Sequence, residues 1–288
     1  MIMKDKTNFS FIKVLKSGIS SIQDSGRFGY LSEGIPNSGF MDSSSAGLAN
    51  LLVGNSVNSA CIEWSMLPPK LQFNESAIIA ITGATSKIYV NNTEVKSHKS
   101  ILIPEKAILS FGAVKRGVYG YISVKGGIKT SKVLGSRSWF KEVTEYQFLF
   151  KGLEIPFLKN TDIATTNVRL LNTLDKEVSE VLKVYPGPEF NFLSENQKTF
   201  LQQENFNSSS VRNRMGIQLG ISFYKHEFSI LSSPVIPGTV QWTPSGKLIV
   251  LMRDAQTIGG YPRLLQLTSE SIDKISQLNC DFNFVLNE

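Results

Sequence analysis

Residues 77–90 read AIIAITGATSKIYV, and this stretch decides the fold class. Residues 77–82 and 86–90 are short runs rich in β-branched and apolar residues, which favour buried strands. The small residues Thr82, Gly83 and Ala84 between the two runs predict a turn that ends the first strand. Exposed backbone amides in such a turn can bind an anion. The stretch therefore predicts two strands and a candidate ligand-binding turn.

The same pattern extends through most of the chain, because short apolar runs alternate with Gly, Pro, Asn and Ser. It predicts a mainly β protein built from barrels or sandwiches. Further strands are expected at residues 11–15, 70–73, 101–103, 107–111, 118–124, 183–185 and 248–252. A few short helices are expected after the N-cap residue Asp42, after Ser194 with Gln197 in capping-box spacing, and after Ser269.

The length of 288 residues fits two domains of ordinary size. A polar, irregular stretch at 159–172 is followed by Pro186, Gly187 and Pro188, which mark the best boundary. We therefore predict an N-terminal β-rich domain at residues 1–182 and a C-terminal domain at residues 183–288.

Composition restricts the function. The chain is 41% hydrophobic and 19% charged with a net charge of +6, but its Lys and Arg residues are scattered, so no nucleic-acid partner is predicted. No apolar run is long enough for a membrane span, and no membrane association is expected. Cys61 and Cys280 are far apart and are predicted to be reduced core residues of a cytoplasmic protein.

The sequence lacks the motifs of several common enzyme chemistries. The sequence contains no phosphate loop of the Walker type and no G-x-S-x-G nucleophile elbow. With only two histidines and no clustered cysteines, no metal site is predicted.

The densest polar turn is residues 252–263, which read MRDAQTIGGYPR. Gly259 and Gly260 allow close approach of the backbone to a ligand. Asp254 and Gln256 can distinguish the hydrogen-bond donors of an amide-like substrate from its acceptors. The alternative is a tight hairpin whose polar residues bond only to its own backbone.

A second polar turn contains Asp24 and Arg27. The two side chains can pair and orient the loop, or Arg27 can hold a substrate carboxylate with two hydrogen bonds. Asp42 is most simply a helix cap. Glu63, beside Trp64, would have a raised pKa if buried, or it can pair with an arginine.

Taken in order, a set of motifs resembles the biotin-dependent carboxyltransferase family. This family includes the C subunit of 5-oxoprolinase, also named allophanate hydrolase subunit 2, the antagonist of a sporulation kinase inhibitor, and the carboxyltransferase domain of urea carboxylase. The matching segments span nearly the whole chain and are residues 22–30, 34–42, 49–55, 81–84, 135–138, 213–216 and 254–262.

The resemblance implies two cyclophilin-like β-barrel domains with a cleft between them. It implies a C-type subunit that works with A-type and B-type partner proteins of the 5-oxoprolinase complex in the ATP-dependent opening of 5-oxo-L-proline to L-glutamate, with ATP entering through the complex. The chain has no Met-Lys-Met motif, so no covalently attached biotin is expected. It departs from the family at residues 139–148, at Ile258 and at Arg212.

Lactam hydrolysis needs stabilisation of a developing oxyanion and proton transfer. The residues assigned to these catalytic tasks are Asp24, Arg27, Arg214 and Asp254. The residues assigned to substrate binding are Gln23, Met41, Asn50, Glu63, Thr82, Gly83, Arg137, Gln256, Thr257, Gly259, Gly260 and Tyr261. Two other functions stay open: a carboxyltransferase that acts on urea or another amide, and a regulatory protein that binds a kinase inhibitor of the B type.

Overall fold

The structure is a computed structural model that describes residues 8–159 and 181–287. The described residues form two compact units. The first comprises residues 8–27 and 38–159, and the second comprises residues 28–37 and 181–287. As predicted, the fold is mainly β, with three α-helices in the described ranges and a curled, half-barrel sheet in each unit.

The first unit is built on a nine-stranded antiparallel sheet. Its main path runs β2-β3-β8-β4-β1-β9, and β5 pairs with β6, β7 and β8. Helix α1 (Ser43–Leu52) packs against β5 and β8. The strands are β1 Phe9–Lys16, β2 Ser20–Gln23, β3 Cys61–Ser65, β4 Lys70–Phe73, β5 Ala77–Val90, β6 Thr93–Val95, β7 Ser100–Ile103, β8 Ile108–Val124 and β9 Glu154–Leu158.

The central pair of this sheet corrects two predictions. Residues 77–90 form one continuous strand, β5, so the turn predicted at Thr82, Gly83 and Ala84 is wrong. The strands predicted at 107–111 and 118–124 are likewise joined in β8. The chain continues because Gly83 adopts a φ of +79° and the register with β8 shifts just after it, which absorbs the irregularity as a bulge.

The second unit contains a seven-stranded sheet in the order β11-β12-β15-β14-β17-β10-β18. All its pairs are antiparallel except β10 with β18. Strands β13 and β16 form a separate two-stranded ribbon. The strands are β10 Val181–Pro186, β11 Ser208–Arg212, β12 Gly216–Ser222, β13 Ser233–Pro234, β14 Thr239–Trp242, β15 Lys247–Leu251, β16 Ile258–Gly259, β17 Arg263–Leu267 and β18 Asn283–Leu286.

Two helices begin where the sequence predicts, and the third begins at Ser269, one residue earlier than predicted, with Thr268 as its N-cap. Asp42 caps α1 by accepting from the backbone N–H of Ser45 at 2.9 Å. Ser194 and Gln197 form both hydrogen bonds of a capping box at the start of α2 (Glu195–Gln203). Helix α3 (Ser269–Gln277) buries the predicted face of Ile272, Ile275 and Leu278 against the sheet.

The remaining predictions about the fold have mixed outcomes. The boundary predicted between residues 182 and 183 falls inside β10, and it stays a prediction because residues 160–180 lie outside the described ranges.

Cys61 is a buried free thiol, and burial raises its pKa to about 12. Cys280 is exposed, so its prediction as a core residue is wrong. Within the described ranges, no helix combines the length and apolarity needed to cross a membrane.

Candidate functional site

The carboxylate of Asp24 lies at the centre of a polar network in the first unit. Its Oδ1 atom accepts from the backbone N–H of Gly26 at 2.9 Å and from the hydroxyls of Ser136 at 2.6 Å and Ser138 at 2.7 Å. Its Oδ2 atom accepts from the backbone N–H of Arg137 at 2.6 Å. Four donors therefore converge on a side chain that is only 7% exposed, and they fix two loops to each other.

Arg27 is buried beside this network. Its Nη1 atom donates to the hydroxyl of Ser38 at 3.2 Å, and its Nη2 atom donates to the backbone carbonyl of Ser138. Arg27 as a whole is only 1% exposed. Its bonds to Ser38 and Ser138 hold the loop, while its predicted pairing with Asp24 and its role in binding a substrate carboxylate both stay predictions.

A second buried network surrounds Glu63, which is 2% exposed. Its Oε2 atom accepts from the backbone N–H of Met41 at 2.8 Å, and its carboxylate is also hydrogen-bonded to the Tyr121 hydroxyl. Tyr121 in turn accepts from the backbone N–H of Asp42 at 2.7 Å. Burial and the Glu63 charge raise the pKa of Tyr121 well above its usual value, so the phenol stays protonated and donates to Glu63.

Gln23 and Asn50 are fully buried, and the side chain of each donates to a backbone carbonyl. The Gln23 side-chain amide donates to the carbonyl of Trp139 at 3.1 Å. The Asn50 amide donates to the carbonyl of Ser59 at 2.8 Å, and its oxygen accepts from the Ser123 hydroxyl at 2.6 Å. These bonds hold loops onto the sheet, and the predicted substrate contacts of both residues stay predictions.

Thr82 and Gly83 lie inside the β5 and β8 pair. The Thr82 hydroxyl donates to the carbonyl of Ser45 in α1 at 2.7 Å. Gly83 is paired with Gly120, and a Cβ added to it would lie 2.4 Å from the carbonyl oxygen of Tyr119. Gly83 is therefore required by close packing of two backbones within the ladder.

In the second unit, Arg214 and Asp254 form a bidentate ion pair. Arg214 Nε lies 2.7 Å from Asp254 Oδ2, and Nη2 lies 3.0 Å from Oδ1. The two side chains are 14% and 5% exposed, and the backbone N–H of Asp254 also donates to the Arg214 carbonyl. This pair ties the turn after β15 to the loop before β12, 40 positions away in the chain, so the polar residues of the turn do not bond only to its own backbone.

The paired glycines differ sharply in their surroundings. A Cβ added to Gly259 would lie 2.4 Å from Nε2 of Gln241, whereas one added to Gly260 would lie no closer than 3.7 Å from the Ser232 hydroxyl. Neither glycine has a positive φ. Gly259 therefore makes room for Gln241, whereas a methyl group at Gly260 would fit in ordinary van der Waals contact with its neighbours.

Gln241 is a candidate that sequence reasoning missed. It lies in β14, is 2% exposed, and accepts from the Gln256 side chain at 3.3 Å. Its Nε2 atom has no hydrogen-bond partner among the described residues. A buried amide donor without an acceptor is costly, so this atom is suited to meet a ligand oxygen. The only signal in the sequence is a glutamine within the otherwise weakly polar strand TVQW.

The other predicted residues of this turn are divided between surface and interior. Gln256 is exposed and Tyr261 is 44% exposed. Thr257 is buried, and its carbonyl accepts from the backbone N–H of Val235 at 3.0 Å. The turn does not join two paired strands as a hairpin would, because β15 and β17 both pair with β14 and the segment contributes β16 to a separate ribbon.

An ion pair also closes the end of the turn. Arg263 donates to Glu189 from Nε at 2.9 Å and from Nη2 at 2.8 Å. These hydrogen bonds lower the pKa of Glu189.

In the described ranges, no group of three His, Cys, Asp or Glu side chains is placed to hold a metal ion.

The two glycines give a matched pair of variants. Gly259→Ala is expected to lower the free energy of unfolding by about 1–3 kcal/mol, because the new methyl group must displace the buried Gln241 amide. Gly260→Ala is expected to change it by less than about 0.5 kcal/mol. Urea unfolding monitored by tryptophan fluorescence measures both. Equal destabilisation by the two variants would contradict this packing.

The chain belongs to the family described as carboxyltransferase domain, subdomain A and B, whose model matches residues 33–286. It is 29% identical over 276 residues to the C subunit of 5-oxoprolinase from Escherichia coli (strain K12), a match that covers 93% of this chain and 87% of that protein. It is 39% identical over 122 residues to urea amidolyase of Saccharomyces cerevisiae, which covers 42% of this chain and 7% of that protein.

Solved structures show the same fold. The chain of Kluyveromyces lactis urea carboxylase matches with a TM-score of 0.86 and 25% identity, covering 99% of this chain. TTHA0988 matches with a TM-score of 0.85 and 24% identity, again over 99% of this chain. The present chain spans only 57% of the TTHA0988 chain and 28% of the urea carboxylase chain.

Proposed function

We propose that this chain is the C subunit of a bacterial, ATP-dependent 5-oxoprolinase complex that opens 5-oxo-L-proline to L-glutamate together with its A and B subunits. The observation that carries the proposal is the match to the E. coli 5-oxoprolinase protein, which covers 93% of this chain and 87% of that protein. Because the match covers most of both sequences, we carry over the role of that protein as a whole. We place the complex in the cytoplasm, where ATP is available.

The chemistry of the second unit supports a lactam or amide substrate. Ring opening of a lactam develops negative charge on the carbonyl oxygen, and backbone and amide N–H donors stabilise such an oxyanion. We assign the Nε2 atom of Gln241, which has no hydrogen-bond partner among the described residues, as a donor for this purpose. We assign ATP binding to the assembled complex, and we assign no attached biotin to this chain.

Carboxyl transfer from carboxybiotin to urea or another amide is the second candidate. The 39% identity to urea amidolyase over 122 residues favours it. The two candidate reactions use different atoms of the amide, because hydrolysis adds water to the carbonyl carbon whereas carboxyl transfer forms a bond to a nitrogen. N–H donors that face the amide oxygen would stabilise the oxyanion in the first reaction and orient the substrate in the second.

A regulatory role, in which the chain binds a B-type partner without catalysis, is the third candidate. It is suggested by the unusual 139–148 segment. Trp139 in this segment is buried and its ring lies 5.5 Å from that of Tyr146, so the segment forms a packed element of the first unit.

We predict that the isolated chain has no 5-oxoprolinase activity and that adding the A and B subunits restores it. Glutamate release from 5-oxoproline, measured with and without ATP, tests this for the single chain, each pair and the three-component mixture. Steady ATP-coupled release by the single chain would contradict the prediction.

The same mixtures distinguish the other candidates. Consumption of urea with a biotin carboxylase and a carboxybiotin carrier, without turnover of 5-oxoproline, would identify a carboxyltransferase. Binding of the B-type partner without turnover in either assay would identify a regulatory protein.

A further inference from the structure

The loop of residues 129–137 in the first unit brings three cationic side chains together. Val133 and Ser136 exchange both backbone hydrogen bonds, at 2.8 and 3.2 Å, and enclose a two-residue turn of Leu134 and Gly135. Both turn residues have positive φ, at 51° and 81°, which is the geometry of a tight hairpin. Lys132 and Arg137 are the residues that flank this bridged turn on its two sides.

Like charges held close together repel each other and destabilise the segment that carries them. Lys129 adds a third positive charge, because Arg137 and Lys132 both lie close enough to lower its pKa, after the larger effect of burial. Among the described residues, no ion pair involves Lys129, Lys132 or Arg137. The charge of Asp24, which acts on Arg137, therefore offsets only part of the cluster.

A buried hydroxyl completes the arrangement. Nη1 of Arg137 donates to the backbone carbonyl of Thr130, which folds the guanidinium back over the loop. The Thr130 Oγ1 atom is buried and has no hydrogen-bond partner among the described residues. The loop thus combines concentrated positive charge with a hydroxyl that lacks an acceptor, and an anion satisfies both.

We propose that Lys129, Thr130, Lys132 and Arg137 form a binding site for a phosphate group. A phosphate dianion suits the site better than a carboxylate because it supplies three oxygen acceptors and more charge to a cluster of three cations. The site stands whatever reaction the chain supports, since it depends only on this loop. A nucleotide and a smaller phosphorylated ligand share this chemistry.

The test compares thermal unfolding of the full chain in sodium phosphate and in sodium chloride at equal ionic strength, with calorimetric titration of phosphate. We expect phosphate to raise the midpoint, and we expect Lys129→Gln with Lys132→Gln to weaken phosphate binding by about 100-fold, or about tenfold for each lost charged hydrogen bond. Thr130→Val is expected to weaken it less. The matched control is Lys141→Gln with Lys151→Gln, which removes the same charge from exposed positions.

A second measurement separates binding from a structural role. Without phosphate, Lys132→Gln is expected to unfold at the same temperature as the wild type or higher, because it relieves the repulsion between Lys132 and Lys129. A lower midpoint without phosphate would assign Lys132 a structural role and overturn the proposal. So would equal phosphate binding by the double variant and its control, or stabilisation by glutamate but not by phosphate.

ATP and inorganic triphosphate identify the source of the phosphate group. Tighter binding of ATP than of phosphate, lost in the lysine double variant, indicates a nucleotide. Equal affinities indicate a smaller phosphorylated ligand. Because these titrations need no turnover, their outcome is independent of whether the complex hydrolyses 5-oxoproline.

Discussion

Asp24→Ala is expected to lower the free energy of unfolding by about 3–5 kcal/mol. The substitution leaves four donors without their acceptor in a buried region, and each unsatisfied donor costs about 1–3 kcal/mol before water enters the space. Asp24→Asn is expected to be nearly as damaging. It keeps Oδ1 as an acceptor, but its amide group then faces the backbone N–H of Arg137, so two donors oppose each other. Urea unfolding measures both losses.

Ser136→Ala is the matched control for the Asp24 variants. It removes one donor to Asp24 and the acceptor of the Ser138 backbone N–H, and it is expected to cost about 1–2 kcal/mol. If Asp24→Asn were as stable as the wild type while the assembled complex lost activity, the structural assignment would fail. The carboxylate would then act in proton transfer, the catalytic role that its sequence motif suggests.

The parts of the fold that the sequence predicted depend on short-range chemistry. Asp42 and Ser194 cap helices because their side chains reach backbone N–H groups three residues away. The apolar face of α3 follows from helical periodicity. Such contacts are contained in a few consecutive residues and need no knowledge of the partner strands.

The features that the sequence did not predict depend on residues far apart in the chain. The two hydroxyls and one of the N–H groups that donate to the Asp24 carboxylate belong to residues 112–114 positions later in the chain. The continuity of β5 through Gly83 depends on a bulge against β8 and on the position of the Tyr119 carbonyl. Tyr121 and Gln241 lie in strands whose sequences look like those of ordinary interior strands. Their hydrogen-bond partners can be recognised only once the tertiary structure is known.

Asp254→Asn is expected to lower the free energy of unfolding by about 3 kcal/mol, because it leaves the largely buried guanidinium of Arg214 without its counter-charge. The matched control is Glu189→Gln, which breaks the ion pair with Arg263 in the same unit. That pair has similar burial, with side chains 12% and 18% exposed. Chemical denaturation of the two variants should therefore give losses of similar size.

Measuring the activity of Asp254→Asn and Glu189→Gln per folded complex separates an effect on stability from an effect on the chemical step. If Asp254 only holds its turn to Arg214, both variants keep the specific activity of the folded complex. Adding Arg214→Gln to Asp254→Asn should then recover part of the lost stability, because it removes the uncompensated charge. If Asp254→Asn instead abolishes specific activity while Glu189→Gln preserves it, the carboxylate contacts the substrate or transfers a proton. The ion pair with Arg214 would then serve to orient a catalytic group.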